Sequence, residues 1–171
     1  MCTGAAGLGR EREMFRKILY PTDFSDCAVK VLGYAKSFKD AGTEEVVIVH
    51  VMDVLGMATM TTGVAWSGGG ESPLSYEYER EVQEMMSANV EKKLGVLKTE
   101  LERMGLKVTV KTPEGTPFKE ILKIADDENV SLIVLGSHGK SNIGERLLGS
   151  VSEKVIRKSK QPVLVVKRDQ K

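Results

Sequence analysis

Two glycine-bearing segments mark where this chain could meet an anion. Gly136-Ser137-His138-Gly139-Lys140-Ser141 leaves a short apolar run, and Gly149-Ser150-Val151-Ser152-Glu153 opens a helical pattern. Glycine lets the backbone approach a phosphate with no β-carbon between them, and it permits positive φ. Ser150 and Glu153 read as a capping box that fixes the helix start. The unpaired N–H groups there, with the helix dipole, attract phosphate. The Ser150 and Ser152 hydroxyls would add donors. The plainer alternative is an ordinary loop leading into a well-capped helix. A position just past a strand favours the ligand site, because open α/β sheets bind ligands beyond their carboxyl strand ends.

Gly139-Lys140-Ser141 invites comparison with a P-loop, but the first glycine of that motif would fall at Val134. Nor does a Gly-x-Gly-x-x-Gly follow the first strand. Any phosphate cradle here has another geometry.

A second element is Tyr20-Pro21-Thr22-Asp23-Phe24-Ser25, directly after the first apolar run. Asp23 would offer a carboxylate to a sugar hydroxyl or an adenine amine, or it would only stabilise the turn. First and fourth strands are neighbours in parallel sheets of this type, so Asp23 and Gly136 should face each other across one crevice. No catalytic residue is assigned. His138 has no carboxylate or nucleophile paired with it by spacing, so its imidazole would stack on or donate to a ligand. No general base is placed beside a water. Lys140 and Arg146 would neutralise phosphate or remain solvated charges. Lys154, Arg157, Lys158 and Lys160 read as a solvated helix face, partly matched to a C-terminal dipole. Two cysteines, Cys2 and Cys27, and two histidines, His50 and His138, lack metal-ligand spacing, so no metal site is assigned to side chains. Cys27 reads as a packing residue.

These residues need a frame, and apolar periodicity supplies it. Strands are expected at Arg16–Tyr20, Val46–Val51, Lys107–Lys111, Ser131–Leu135 and Pro162–Val166. Lys107–Lys111 alternates, with one wet face; Val46–Val51 is nearly continuous and should be covered on both faces. Helical spacing runs from an N-cap at Ser25 to Phe38, and from Ser75 to Met104. In the longer helix Val82, Met86, Val90, Leu94, Leu97, Leu101 and Met104 form a core stripe. Thr116-Pro117 starts another helix, and a fourth begins after Ser150. Strand–helix alternation implies a parallel sheet with helices on both faces. The segment from Leu55 to Pro73, with Gly63 and Gly68-Gly69-Gly70, is either a flexible insertion or a lid or partner-binding segment.

The totals agree with this frame. A chain of 171 residues, 41% hydrophobic and 29% charged, can bury a core of its own. A net charge of +1 gives no overall field towards nucleic acid or membrane. No apolar run approaches a membrane span. Cysteine usage fits a reducing cytoplasm. Residues 1–13 read as a disordered extension without a signal peptide's apolar stretch, and Met14 as an alternative start.

The span from Gly136 to Ser150 is Gly, two residues, Gly, nine residues, Gly, Ser. It resembles the nucleotide loop of the ATP-binding class of universal stress proteins. Tyr20-Pro21-Thr22-Asp23, His50-Val51 and Pro162–Val166 resemble that family's first, second and last strand ends. The likeness covers about residues 15–167 apart from 55–73. It implies a Rossmann-like three-layer α/β sandwich, its five-stranded parallel sheet ordered 3-2-1-4-5, in a single domain over residues 14–171. It implies ATP, or AMP or ADP, held between the first and fourth strands. Pro21, Thr22, Asp23 and Val51 would line the adenine and ribose pocket. Leu135, Gly136, Ser137, His138, Gly139, Lys140 and Ser141 would hold ribose and phosphates with Gly149, Ser150 and Val151. Ser152 would make an outer phosphate contact. Mg²⁺ or Mn²⁺ would bridge phosphate oxygens, since no carboxylate cage is offered. Ser131 departs from the Asp often found there. The apolar last strand would be an edge, and such an edge should pair with its own copy. The expected function is an ATP-binding, dimeric, cytoplasmic stress-response protein with a protein partner, and with slow ATP turnover at most. The alternative is an ATP-hydrolysing or adenylyl-transferring enzyme of the wider Rossmann-like group.

Overall fold

The computed structural model describes residues 15–53, 76–139 and 148–167, with side chains 76–79 and 81–83 left aside. Among these residues five parallel strands form one sheet in the order β3-β2-β1-β4-β5. The strands are β1 (Lys17–Pro21), β2 (Glu45–Val49), β3 (Lys107–Lys111), β4 (Leu132–Gly136) and β5 (Val163–Val166). The helices are α1 (Asp26–Leu32), α2 (Ala35–Asp40), α3 (Tyr76–Arg103), α4 (Pro117–Asp127) and α5 (Ser150–Lys158). This is the expected Rossmann-like order. The segments 1–13 and 55–73 lie outside the described residues, as do Lys140, Ser141 and Arg146.

Alternation along the strands divides the core in two. Ile18, Tyr20, Val46, Ile48, Leu132 and Val134 pack with Leu94, Leu97 and Leu101 of α3 on one face. Leu19, Val47, Val49, Ile133 and Leu135 pack with Ile121, Ile124 and Ala125 of α4 and Val155 of α5 on the other. Beyond the charged first residues Lys17 and Glu45, the central strands are apolar on both faces, as a sheet covered twice requires. At β3 the second cover is ionic. Lys107 pairs with Glu45 at 3.2 Å, and Lys111 with Glu128 at 2.7 Å. Lys17 joins the row through Glu45 and Glu128, at 3.4 and 2.7 Å.

Several boundaries differ from the sequence expectation. Pro21 does not end β1 early; it pairs with Val49 as the last strand residue. Strand β2 starts at Glu45 and stops at Val49, two residues short of Val51. The helix expected from Ser25 to Phe38 is two helices. Ser25 caps the first as expected, accepting from the Ala28 N–H at 3.4 Å. The break falls at Gly33 and Tyr34, whose N–H groups turn to the carbonyls of Lys30 and Val31; glycine is a poor helix interior residue. In α3 the apolar stripe outruns its cover. Leu94, Leu97 and Leu101 are buried, but Met86 is 51% exposed. A helix of 28 residues is roughly 40 Å long, against roughly 17 Å for a five-residue strand, so the sheet can bury only part of it. The Val82 side chain lies outside the description.

Candidate nucleotide site

The β1 end, the β4 loop and the start of α5 converge at the carboxyl edge of the sheet. Pro21 and Thr22 are buried, and the Thr22 N–H donates to Val49 O at 2.8 Å. The Thr22 Oγ1 accepts from the Phe24 N–H at 3.1 Å, and Asp23 Oδ1 from the Ser25 N–H at 3.0 Å. These two side-chain bonds turn the chain from strand into helix. Phe24 stands at φ 61°, a left-handed conformation costing a residue with a β-carbon about 1–2 kcal/mol. Beneath the turn, burial pushes the Tyr20 phenol up to about 12, and it donates to Ala28 O at 2.5 Å.

The β4 loop comes to meet that turn. Leu135 is buried, and Gly136 pairs with Val166. The Ser137 N–H donates to Val166 O at 2.8 Å, and its buried hydroxyl lies 3.0 Å from His138 Nδ1. The Ser25 hydroxyl donates to His138 O at 3.3 Å, which ties the two loops together. A β-carbon at Gly139 would lie 2.5 Å from Asp23 Oδ2. Asp23 and the glycine loop thus meet at the carboxyl edge of the sheet, as the strand order demands. Val51 is half-buried against the second core, beyond the end of β2.

Gly149 joins the loop to α5: its N–H donates to Ser137 O at 2.7 Å. The N-cap is Gly149 rather than Ser150, and it makes no side-chain cap bond. The expected capping box of Ser150 and Glu153 therefore does not form. Glycine also serves at this position, and the Glu153 N–H bonds to Gly149 O at 2.9 Å. Ser150 becomes the first helical residue, exposed, and the N–H groups of Ser150, Val151 and Ser152 open the helix without carbonyls four residues back.

Two residues have tasks other than those read from the sequence. The Ser152 hydroxyl is buried and donates to Gly136 O at 2.8 Å. That hydrogen braces the strand end and is not directed to an outer phosphate. At Gly136 a β-carbon would lie 2.7 Å from Cys27 Cβ and 2.9 Å from Cys27 C. The close approach of α1 by itself requires glycine here. Two further residues carried no sequence signal of a role. His50 Nδ1 lies 2.8 Å from Thr22 O, and the Phe24 and His50 rings stack at 4.7 Å. Only a tertiary meeting of β1 and β2 reveals them. Among the described residues no group of three or more His, Cys, Asp or Glu could hold a metal, and no helix is long and apolar enough to cross a membrane.

The comparisons with known proteins agree over nearly the whole chain. A model of the universal stress protein family matches residues 14–167. A universal stress protein of Methanocaldococcus jannaschii is 44% identical over 160 residues, covering 91% of this chain and 96% of that protein. Its solved structure aligns with a TM-score of 0.77 at 42% identity, over 92% of this chain and 99% of that one. The Bacillus subtilis universal stress protein YxiE is 33% identical over 157 residues, 90% of this chain and 100% of that protein. More distant solved structures share the fold. One is a universal stress protein in complex with cAMP, at 22% identity and TM-score 0.55, covering 90% of this chain and 97% of that one. Another is a universal stress protein of Archaeoglobus fulgidus in complex with dAMP, at 23% identity and TM-score 0.52, covering 90% and 99%.

Proposed function

The chain belongs to the universal stress protein family, and from that premise we propose that it is an adenine-nucleotide-binding stress-response protein. The observation that carries this reading is the close approach of Asp23 and Gly139. A carboxylate on the β1 turn and a glycine on the β4 loop approach so closely that a β-carbon would not fit. The β1 carboxylate and the backbone of the glycine loop are thereby brought to one place, beside a helix start with outward N–H groups. Pro21, Thr22, Asp23 and Val51 take the adenine and ribose. Leu135 to Ser141, with Gly149, Ser150 and Val151, take the ribose and phosphates. Relatives of the same fold in complex with cAMP and dAMP support an adenine nucleotide as the class of ligand.

ATP is the nucleotide proposed, with ADP and AMP as its shorter forms. Mg²⁺ or Mn²⁺ would be bound by the phosphates and not by a side-chain cage. Bound nucleotide would act as a conformational or partner-binding switch in a cytoplasmic homodimer. The dimer is proposed through β5, which is an edge in the strand order and leaves Leu164 43% exposed. The deciding experiment is mass spectrometry of nucleotide carried through gentle purification, followed by calorimetry with ATP, ADP and AMP. Retained or millimolar-or-tighter ATP supports the reading. No binding of any of the three overturns it.

A further inference from the structure

The turn carrying Asp23 is held from strand β2 by a residue to which the nucleotide reading gives no task. His50 follows β2, and its own N–H donates to Lys111 O at 3.0 Å, which fixes its backbone at the β2–β3 seam. Its Nδ1 lies 2.8 Å from Thr22 O. A carbonyl oxygen only accepts, so Nδ1 carries the hydrogen and the tautomer is set. The peptide before Thr22 is meanwhile held by the bond from the Thr22 N–H to Val49 O at 2.8 Å. Both peptides flanking Thr22 are therefore gripped by β2 or by the residue next to it.

Phe24 adds a second constraint. Its left-handed backbone, φ 61°, reverses the chain immediately after Asp23. A strained residue of this kind persists only where its surroundings over-determine it. The Phe24 ring stacks on the His50 ring, centroids 4.7 Å apart and tilted by 35°. Lys93 of α3 lies 5.3 Å from the centre of the Phe24 ring. His50 thus holds the turn twice, once by hydrogen bond and once by ring contact. Asp23 lies between the two points of attachment.

We propose that His50 is a positioning residue for the nucleoside half of the site: its Nδ1–H and ring face hold the Thr22–Asp23–Phe24 turn so that Asp23 is presented against Gly139. The ligand half of this claim rests on the adenine-nucleotide reading; the structural half does not. Loss of His50 should weaken ligands that need the Asp23 turn. It should spare ligands held only by the glycine loop and the start of α5, which are built on β4.

The test compares His50→Ala, His50→Phe and His50→Asn in the full chain. The asparagine amide can donate from near the Nδ1 position, and the phenyl ring keeps the stack without the donor. Calorimetry is run with ATP, adenosine and inorganic tripolyphosphate. His50→Ala should weaken ATP and adenosine by about tenfold or more, the scale of one lost buried hydrogen bond. Tripolyphosphate affinity should stay within about twofold, and His50→Asn should recover part of the ATP loss. Unchanged ATP affinity, or equal losses for ATP and tripolyphosphate, overturns the proposal. Amide hydrogen exchange in the nucleotide-free protein tests the structural half alone. Exchange at Phe24 and Ser25 should quicken in His50→Ala and less so in His50→Asn, and nitrogen NMR should show the Nδ1–H tautomer in the wild type. Unaltered exchange, or the other tautomer, overturns the clamp. A wild type that binds no nucleotide yet shows this exchange pattern overturns the functional reading and leaves the clamp standing. If His50→Ala fails to fold, the phenylalanine and asparagine variants carry both measurements.

Discussion

Gly139 and Asp23, 116 residues apart in the chain, approach until a β-carbon on one would lie 2.5 Å from a carboxylate oxygen of the other. Space at the site is therefore allotted to backbone. Gly139→Val should lower ATP affinity more than about tenfold, because Asp23 or the loop must move, as overpacked sites do. The melting temperature should fall by only a few degrees if the loop absorbs the change. Calorimetry and circular dichroism decide; unaltered affinity with an unaltered fold would remove Gly139 from the site.

Ser150 and Ser152 separate a ligand role from a structural one. Ser150 is exposed at the first position of α5, so Ser150→Ala should cost about 1.5–3 kcal/mol of ATP binding if its hydroxyl donates to a charged phosphate. Its stability should be nearly unaltered. Ser152→Ala removes a buried bond to Gly136 O and should cost about 1 kcal/mol of folding stability. Denaturant titration beside calorimetry checks both, and a reversed pattern would exchange the two assignments.

Gly136→Ala should destabilise by about 1–3 kcal/mol, because the new methyl meets Cys27 backbone as well as its side chain. Cys27→Ala should bring no relief, since alanine keeps the Cβ, and the Cys27 carbonyl carbon and the Ala28 nitrogen also remain in place. Urea midpoints of the single and double variants measure this; a neutral Gly136→Ala would contradict the packing role.

The ionic cover of β3 gives a pH signature. Hydrogen bonds from Lys111 and then Lys17 hold the Glu128 carboxyl down at about 2, below its ordinary 4.5. A folded-state value below the unfolded one stabilises above the unfolded value, and the contribution is lost as pH falls from 4.5 towards 2. Lys17 is raised, chiefly by its bond to Glu128, so its share is present below its ordinary 10.5 and fades at higher pH. Glu128→Gln should cost about 1 kcal/mol at neutral pH, after solvent screening. The stability difference between wild type and variant should shrink as pH falls below 4.5 and vanish only below about pH 2, as urea unfolding across that range would reveal; a gap constant with pH would contradict the shift.

Turnover separates the nucleotide holder from an enzyme. Steady-state ATP hydrolysis or pyrophosphate release should fall well below the ~1–10³ s⁻¹ of dedicated enzymes. A rate inside that range, measured on the wild type with Mg²⁺, would favour the hydrolase or adenylyl-transfer alternative.

Much of the frame was legible in the sequence because it rests on periodicity. The β-branched runs around Val47 and Val134 can only be strands covered on both faces, and their alternation with helical stripes gives the parallel sheet. The first and fourth strands' contact brings Asp23 to the glycine loop. What escaped was set by tertiary contact. Gly136 reads as an anion glycine until α1 is seen against it, and Ser152 as a phosphate donor until its bond to Gly136 O is seen. Met86 fits the stripe of α3 perfectly well by spacing, yet the sheet is too short to cover it. His50 shows only as a polar residue at the end of an apolar run, and nothing local discloses that its ring reaches Thr22.

The lysines of β3 have a consequence for assembly. A sheet grows by adding strands at its margins, and this one has two unequal margins. The β5 side, the margin proposed for pairing, leaves Leu164 exposed, whereas a newcomer at β3 would meet Lys107 and Lys111 together with Glu45 and Glu128. Two copies meeting at β5 would spend the receptive margin of each and turn the charged ones outward. Growth would stop there, at a closed pair of ten strands with no route to a fibre.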